Sequence, residues 1–413
     1  MLANHKAFLF DGRLHKQREK LRLFGWVINS LYCNILYVKY YPGPPTDFFS
    51  RQKIFLTHSG PLSSERRKHE PNRSITDAER TGRMKISKLF QKLLYRICEA
   101  AFYFFYALLK PLSPSVFSKV AYPFLWLFVC LVIPKKRVVK NLSAAFGESY
   151  SQATKKGLAR GVQEQFIQNL LDCFEQISDH EHARRTITIA GMEYLQSALQ
   201  KGKGVIALGA HIGNFVLLGT RVGLEGHRFH TLFRIPDDRR IKKAIARYLP
   251  HYHQSVIPSL PRRAAVRSIL TALKRNEIVY ILGDNLKKGR IDALLFGQRI
   301  PSPRGPISLA LRSGAPLVPM YLVRQYHGGM ELVIEREIEM TRNGALANDI
   351  AENTQRVVLY LESLIRRYPD QWNWLTVRMT NYQERSAQRC ENCLTELTLV
   401  GEKGEAGKIS PGL

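Results

Sequence analysis

Residues 205–219, with the sequence VIALGAHIGNFVLLG, decide the fold class of this chain. The stretch begins as a continuous apolar, β-branched run of the kind found in a buried strand. The run ends at His211, and Gly213 and Asn214 then open an apolar stretch with helical character. A strand, turn and helix in this order place His211 at the carboxyl end of a strand, where open α/β sheets bind ligands. A histidine there can accept a proton from a hydroxyl group near neutral pH.

The rest of the chain continues the alternation of strand and helix. Residues 138–200 have helical spacing of apolar residues, and alternation of the two element types follows them. Such alternation indicates an α/β fold with a central, mostly parallel sheet flanked by helices. The predicted strands are 204–210, 230–234, 278–283, 316–324 and 331–336. The predicted helices are 212–223, 237–249, 264–275, 307–313 and 354–368.

Both ends of the chain differ from this pattern. Residues 1–83 mix basic clusters, turn formers and short apolar pieces without periodicity, which predicts disorder or an extension upstream of the biological initiator. Met84 is the candidate initiator, because a membrane-associated protein could begin naturally there. The polar, glycine-containing tail at 381–413 is predicted to be disordered.

Residues 84–137 are rich in aromatic and aliphatic side chains, interrupted by lysines and prolines. Neither apolar run in this segment reaches the ~20 residues that a straight membrane span needs. We therefore predict a membrane-associated helical segment that anchors the chain, with its lysines at anionic lipid. A buried amphipathic pair of helices and a single tilted span beginning near Ile97 are the alternatives.

The charge of the chain favours an anionic partner. There are 62 Lys and Arg residues against 34 Asp and Glu, a formal net charge of +28. Nucleic acid, an anionic phospholipid surface and an acidic carrier protein all fit such an excess. No helix-turn-helix, zinc-finger or RNP-type motif supports nucleic acid, so no nucleic-acid partner is expected, although a basic nucleic-acid-binding protein stays open as an alternative. Cys390 and Cys393 form a lone CxxC pair without further zinc ligands, which favours incidental thiols.

A second predicted strand ends in a chemically active side chain, Asp284. If the two strands are parallel neighbours, His211 and Asp284 emerge at the same edge of the sheet. The carboxylate could then accept one ring N–H and fix the tautomer of the imidazole. Taken alone, His211 could equally cap or pack a strand end, and Asp284 could belong to an ordinary turn.

The order of several short blocks resembles the bacterial late lipid A biosynthesis acyltransferases, a branch of the lysophospholipid acyltransferase superfamily. HIGNF at 211–215 is similar to the H-x-G-N-(W/F) block of that family. The resemblance spans about residues 84–380 and is more specific than any single block. Its other blocks are NLSAAF at 141–146, Arg234, Asp284, FG at 296–297, SPRGP at 302–306, LALRSGAPLVP at 309–319 and YPDQWNW at 368–374.

This resemblance implies an acyltransferase domain at 138–380 with a glycerol-3-phosphate acyltransferase-like fold, at the cytoplasmic face of a bacterial inner membrane. It implies transfer of a fatty acyl chain from an acyl carrier protein or coenzyme A thioester to a hydroxyl of a lipid acceptor. The acceptor would be a lipid A precursor, a lysophospholipid or a related lipid. His211 would be the general base, with no metal and no cofactor. The basic clusters at 239–243, 262–263 and 287–290 would suit an anionic donor, or are simply solvated helix faces.

The sequence departs from the family at Val216. The family carries an acid five residues after the histidine, and a valine can neither accept the ring N–H nor stabilise an imidazolium. Three explanations are open. Asp284 or another carboxylate could orient His211 in place of the family acid, or a backbone carbonyl could orient it. Alternatively, the chain is a catalytically weak or non-catalytic relative. We favour Asp284 as the orienting acid.

The remaining candidate site residues are predicted to contact substrate. Arg234 and Arg304 could bind a phosphate or the anionic part of the donor, although surface salt bridges would explain both. Gly213 and Gly305 could allow close backbone approach, and Asn214 could hold either the histidine turn or the substrate. Ser302 keeps the hydroxyl of the threonine usual in the family.

Overall fold

The computed structural model of the chain describes residues 114–235, 239–286, 289, 291–377 and 379. From Ser118 onwards these residues belong to one compact unit. The predicted extension at 1–83, the first part of the predicted membrane segment at 84–113 and the predicted tail at 381–413 lie outside the described residues.

Ten α-helices and nine strands make up the described part of the chain. The helices are α1 (Pro114–Val132), α2 (Lys135–Phe146), α3 (Gln152–Ser178), α4 (His182–Thr186), α5 (Met192–Gln200), α6 (Phe215–Leu224), α7 (Arg239–Tyr248), α8 (Arg262–Lys274), α9 (Gly305–Ser313) and α10 (Leu346–Arg367). The strands are β1 (Ile187–Ala190), β2 (Val205–Gly209), β3 (Phe229–Phe233), β4 (Gln254–Pro258), β5 (Ile278–Leu282), β6 (Ile291–Leu295), β7 (Gln298–Ser302), β8 (Leu317–Arg324) and β9 (Met330–Ile334).

Seven strands form one sheet in the order β1-β9-β8-β2-β5-β3-β4, and β6 and β7 form a separate hairpin. From β8 to β4 all neighbouring strands are parallel. Strand β9 runs antiparallel to β8, and β1 is parallel to β9. The prediction of an α/β fold with a mostly parallel central sheet flanked by helices is confirmed.

The central strands are apolar throughout because both faces of the sheet are covered. All five residues of β2 are buried, and so are the first seven of β8. The apolar run at 205–209 therefore behaves as the sequence predicts for a fully buried parallel strand.

Several elements differ from the prediction. The segment 138–200, predicted to be helical throughout, contains strand β1. The helix after β2 begins at Phe215 rather than at residue 212, because Gly213 adopts a positive φ of 54° that interrupts a helix. Helix α10 begins at Leu346, eight residues before the predicted start. Strand β4 and the β6–β7 hairpin were not predicted.

The described part of the predicted membrane segment consists of α1 and the first residues of α2. Within the described residues, no helix combines the length and apolar character that crossing a membrane requires. A single tilted span beginning near Ile97 would lie mostly outside the described residues.

Candidate active site

The ends of β2 and β5 bring the two predicted catalytic side chains together. These strands are parallel neighbours, with Gly209 opposite Leu282. His211 and Asp284 each lie two residues beyond that pair, so they emerge at the same level of the carboxyl edge of the sheet. This is the edge at which open α/β sheets bind ligands.

His211 and Asp284 form a buried hydrogen-bonded pair. The His211 Nδ1 lies 2.8 Å from Asp284 Oδ1, and the His211 backbone N–H donates to Asp284 Oδ2 at 2.8 Å. The indole N–H of Trp372 donates to the same Oδ2 at 2.9 Å. His211 is 7% exposed, and Asp284 and Trp372 are both 0% exposed. The carboxylate is therefore fixed by three contacts, two of which come from the histidine itself.

These contacts keep the carboxyl group ionised. Burial alone raises the pKa of Asp284, but the His211 ring and the hydrogen bonds from His211 and Trp372 outweigh it, and the pKa lies below its ordinary value. An ionised carboxylate can only accept hydrogen bonds, so the ring proton of His211 resides on Nδ1. In a neutral imidazole, Nε2 is then the nitrogen without a proton, which is the form that a general base needs.

The turn after His211 is held by backbone contacts to β8 and to the loop at 371–373. Gly213 N–H donates to Gln371 O at 3.0 Å, and Asn214 N–H donates to Leu322 O at 2.9 Å. A Cβ on Gly213 would lie 1.8 Å from Leu322 O, and the residue has a positive φ. Gly213 is therefore needed for close approach of the turn to β8.

The Asn214 side chain is buried and faces helix α3. Its amide donates to Asn169 O at 3.3 Å and to Asp172 Oδ2 at 3.2 Å, and Cys173 Sγ contacts its oxygen at 3.6 Å. Asp172 also accepts from Arg324. Burial raises the pKa of Asp172, although Arg324 acts in the opposite direction. These contacts attach the turn after His211 to α3, and both predicted roles of Asn214, holding the turn and contacting substrate, stay predictions.

A mainly apolar cavity of about 70 Å³ is lined by Phe215, a neighbour of His211, whereas His211 itself does not line it. The Phe215 ring contacts the His211 ring edge-on, at 5.1 Å between centroids, and lines the cavity together with Val216. The half-buried Val216 is thus part of an apolar wall. The other lining residues are Cys173, Ile177, Leu217, Thr220, Thr231, Leu232, Phe233, Tyr248, Leu249, Gln254, Val256, Tyr280 and Leu282.

The other predicted substrate residues lie at loop and helix starts. Arg234 directly follows β3 and is exposed, as is Arg304, the residue before α9. Gly305 is the first residue of α9, and nothing lies within 4 Å of where its Cβ would be. Ser302 is 0% exposed, and its hydroxyl lies 3.5 Å from Ile300 O. The contacts of these residues with substrate remain predictions.

Trp372 is a site residue that sequence reasoning missed. It belongs to the block at 368–374, which the family resemblance covers without indicating a contact to Asp284. The same block packs against α2, since the Asn141 amide donates to Trp374 O at 2.6 Å and to Val377 O at 3.0 Å. In the sequence, the order of the family blocks was the available signal for Trp372, and this order does not show which residues lie close together in the folded chain.

Comparisons with known proteins identify the family of the chain. Residues 83–380 match the family model of the bacterial lipid A biosynthesis acyltransferases. A phosphatidylinositol mannoside acyltransferase of Mycolicibacterium smegmatis is 23% identical over 200 residues, covering 48% of this chain and 64% of the relative. A Mycobacterium tuberculosis protein of the same name is 23% identical over 190 residues, covering 45% of this chain and 58% of the relative.

The chain thus spans less than two thirds of the length of these mycobacterial relatives. A lipid A biosynthesis palmitoleoyltransferase of Escherichia coli is 23% identical over 240 residues, covering 57% of this chain and 75% of the relative. The family model covers well over half of the chain and includes every block that was singled out in the sequence. The chain belongs to the bacterial lipid A biosynthesis acyltransferase family.

Proposed function

We propose that the protein transfers a fatty acyl chain from a thioester donor to a hydroxyl group of a lipid acceptor, with His211 as the general base. The observation that carries this proposal is the buried His211–Asp284 pair, whose neighbour Phe215 lines a small apolar cavity. A base that can take a hydroxyl proton and an apolar surface against which hydrocarbon can pack are two features that acyl transfer to an alcohol needs.

The reaction follows from the protonation state of His211. Its Nε2 takes the proton of the acceptor hydroxyl while the oxygen attacks the thioester carbonyl carbon. The tetrahedral intermediate collapses by breaking the C–S bond, and the imidazolium returns the proton to the leaving thiolate. Asp284 stabilises the imidazolium, because its pKa lies below the ordinary value and it stays ionised.

The donor in this proposal is an acyl carrier protein or coenzyme A thioester. Both are anionic, and exposed cations at Arg239, Lys242, Lys243, Arg262 and Arg263 offer a complementary surface. Lys287, Lys288 and Arg290, which were predicted to extend this surface, lie outside the described residues. Exposed Arg234 and Arg304 are proposed to bind phosphate groups of donor or acceptor.

The acceptor is proposed to be a lipid A precursor or another hydroxylated membrane lipid such as a lysophospholipid. The names of the relatives support this class, because one names lipid A and another names phosphatidylinositol mannoside. We place the protein at the cytoplasmic face of a bacterial inner membrane. Helix α1 supports membrane association, since Val120, Phe124 and Leu127 are 37%, 50% and 63% exposed at helical spacing.

Transfer of radiolabelled dodecanoyl from a thioester to lipid A precursor or lysophospholipid in vesicles tests the proposal. His211→Ala should lower the rate by about a thousandfold or more, because the base is lost. His327→Ala, at an exposed histidine in the turn after β8, is the matched control and should retain the wild-type rate. Wild-type transfer by His211→Ala would show that the assigned base is wrong.

Val216 favours one second candidate, a non-catalytic relative that binds acyl chains. The family acid at this position is absent, and the side chain lines the cavity instead. Binding of the donor without any transfer to either acceptor would favour this candidate over the enzyme.

A further inference from the structure

We propose that Trp372 is a positioning residue, whose indole N–H holds the carboxylate of Asp284 in the orientation that receives the ring N–H of His211. The effect of Trp372 on the rate rests on the proposed function, because it assumes that His211 is the general base. The orientation of the carboxylate does not depend on that assumption and can be measured without catalysis.

The two oxygens of the Asp284 carboxylate have different partners. Oδ1 lies 2.8 Å from His211 Nδ1, whereas Oδ2 accepts the backbone N–H of His211 at 2.8 Å and the indole N–H of Trp372 at 2.9 Å. Within the described residues, the indole is the one side chain besides the His211 ring that hydrogen-bonds to this carboxylate. The last torsion of an aspartate side chain is broad, so its partners set the orientation. The indole, by fixing Oδ2, therefore helps to direct Oδ1 towards the ring.

Trp372 is itself fixed relative to the histidine by backbone contacts. Ile212 and Trp372 form an antiparallel bridge, and the Asn373 N–H donates to His211 O at 2.9 Å. One short segment thus contacts both the backbone beside His211 and the side chain of Asp284. The position of the carboxylate relative to the imidazole is coupled in this way to the loop that carries Trp372.

The contact lies where a hydrogen bond to a charged group has a large effect. Trp372 and Asp284 are fully buried, and a bond from a neutral donor to an ionised carboxylate is stronger than one between neutral groups. Burial raises the pKa of Asp284, but the His211 ring and the hydrogen bonds, including that from Trp372, bring it below its ordinary value. The indole N–H therefore also favours the ionised carboxylate that the ring N–H of His211 needs as its acceptor.

Trp372→Phe in the full-length protein removes the N–H and keeps an aromatic ring. The kcat for acyl transfer should fall by about tenfold, because one hydrogen bond to a charged group is lost, while KM for the donor stays within about twofold. The loss should be smaller than that of Asp284→Asn, because the carboxylate and its bond to the ring remain. Incorporation of 3-benzothienylalanine at position 372, with sulfur in place of the N–H and nearly the same shape, provides the same test in a variant that keeps the packing.

Trp374→Phe is the matched control. Trp374 is also fully buried, and its indole N–H donates to Pro369 O at 2.6 Å rather than to Asp284. This variant should lose thermal stability but keep kcat within about twofold of wild type. An equal fall of kcat in Trp372→Phe and Trp374→Phe would show a general packing effect and would overturn the inference.

A double-mutant cycle distinguishes positioning of Asp284 from a structural role of the ring. In the Asp284→Asn background, Trp372→Phe should lower the residual rate by less than about twofold, because the carboxylate through which the indole acts is gone. A tenfold loss in that background as well would mean that Trp372 acts independently of Asp284, and the inference would be wrong.

The ring N–H of His211 gives a readout that needs no catalysis. Its proton NMR signal at neutral pH, assigned by its absence in His211→Ala, should lie at low field in wild type and in Trp374→Phe. In Trp372→Phe it should move to higher field and exchange faster with water, because the carboxylate is less well oriented. An unchanged signal in Trp372→Phe, or no such signal in wild type, would overturn the inference.

These outcomes also separate the inference from the proposed function. A signal that changes in Trp372→Phe, in a protein that transfers no acyl group, would overturn the proposed reaction and leave the positioning of Asp284 standing. Acyl transfer by wild type with an unchanged kcat in Trp372→Phe would overturn the inference and leave the proposed reaction standing.

Discussion

Asp284 lies at the end of a different strand from the one that carries His211, yet it contacts both the ring and the backbone of the histidine. An acid at position 216 would come from helix α6, where the present side chain forms part of an apolar wall. We propose that this carboxylate at the end of β5 orients the imidazole in place of the family acid that is missing at position 216.

Restoring an acid at position 216 should therefore not raise the rate of acyl transfer. In Val216→Glu a carboxylate enters the apolar wall without a partner, which should lower the free energy of unfolding by about 1–3 kcal/mol. The kcat for acyl transfer should stay equal to wild type or fall, while KM for the acyl donor rises. Val216→Leu, which keeps the wall apolar, serves as the control. A higher kcat in Val216→Glu would mean that Asp284 does not fully replace the family acid.

The stability contributed by Asp284 should depend on pH. Its folded-state pKa lies below the ordinary value, so the ionised form contributes stability that is complete above about pH 4 and disappears as the pH falls through the lowered pKa. Urea unfolding of wild type and Asp284→Asn from pH 7 to pH 3 measures the difference. The gap should narrow only below about pH 4, and a gap that widens there would contradict the assigned ionisation.

At the scale of elements, the turn between β2 and α6 shows what the sequence can and cannot predict. The apolar run at 205–209 and the polar residue after each strand indicated the strand ends and the His211–Asp284 pairing. The predicted start of α6 was wrong. The positive φ of Gly213 goes with the close approach of the turn to Leu322 O in β8, more than 100 residues later in the sequence. A local pattern cannot contain that contact.

The other features that the sequence did not predict also depend on the folded chain rather than on a local pattern. Strand β1 has four residues, and among the described strands it pairs with β9 alone. The β6–β7 hairpin turns at Phe296 and Gly297, both with positive φ, as a two-residue type I′ turn requires, but phenylalanine is an unusual first residue for it. Trp372 reaches Asp284 across 88 positions of sequence, so its role emerges only from the folded chain.

Gly213 and Gly305, both predicted to allow close backbone approach, should differ in the stability that each loses when it is replaced by alanine. Gly213→Ala places a Cβ 1.8 Å from Leu322 O at a positive φ and should lower the free energy of unfolding by about 2 kcal/mol or more. Gly305→Ala adds a methyl group in open space at the start of α9 and should change it by less than about 0.5 kcal/mol. Thermal unfolding of both variants measures the contrast. Equal losses of stability in Gly213→Ala and Gly305→Ala would contradict the tight packing of the turn at Gly213 against β8.

At the scale of the whole molecule, we propose that the net charge of +28 and the exposed apolar residues of α1 act together at a membrane surface. Anionic lipid would attract the basic surface, and apolar side chains would enter the interface. Neither feature requires a helix that crosses the bilayer.

Vesicle binding should depend on α1 more than on exposed leucines elsewhere. Leu127→Ser, at a residue 63% exposed, should weaken binding to vesicles containing phosphatidylglycerol by about tenfold, because a buried leucine contributes about 1.5–3 kcal/mol. Leu359→Ser on α10, where the leucine is 55% exposed, should bind as wild type does. Cosedimentation measures both variants. An equal loss of vesicle binding in the two variants would contradict a specific role of α1 in membrane binding. Salt-sensitive binding to DNA, with no binding to vesicles, would favour the alternative of a nucleic-acid-binding protein.

The central claim is that Asp284 orients His211 for proton transfer. A single-turnover measurement of acyl transfer by Asp284→Asn, with the enzyme in excess over the donor and with folding verified by its Tm, tests it most directly. The rate should fall by about a thousandfold to ten-thousandfold, since asparagine leaves the shape but stabilises the wrong tautomer and no imidazolium. Donor Kd should stay within about twofold of wild type. A single-turnover rate within about twofold of wild type would contradict the account.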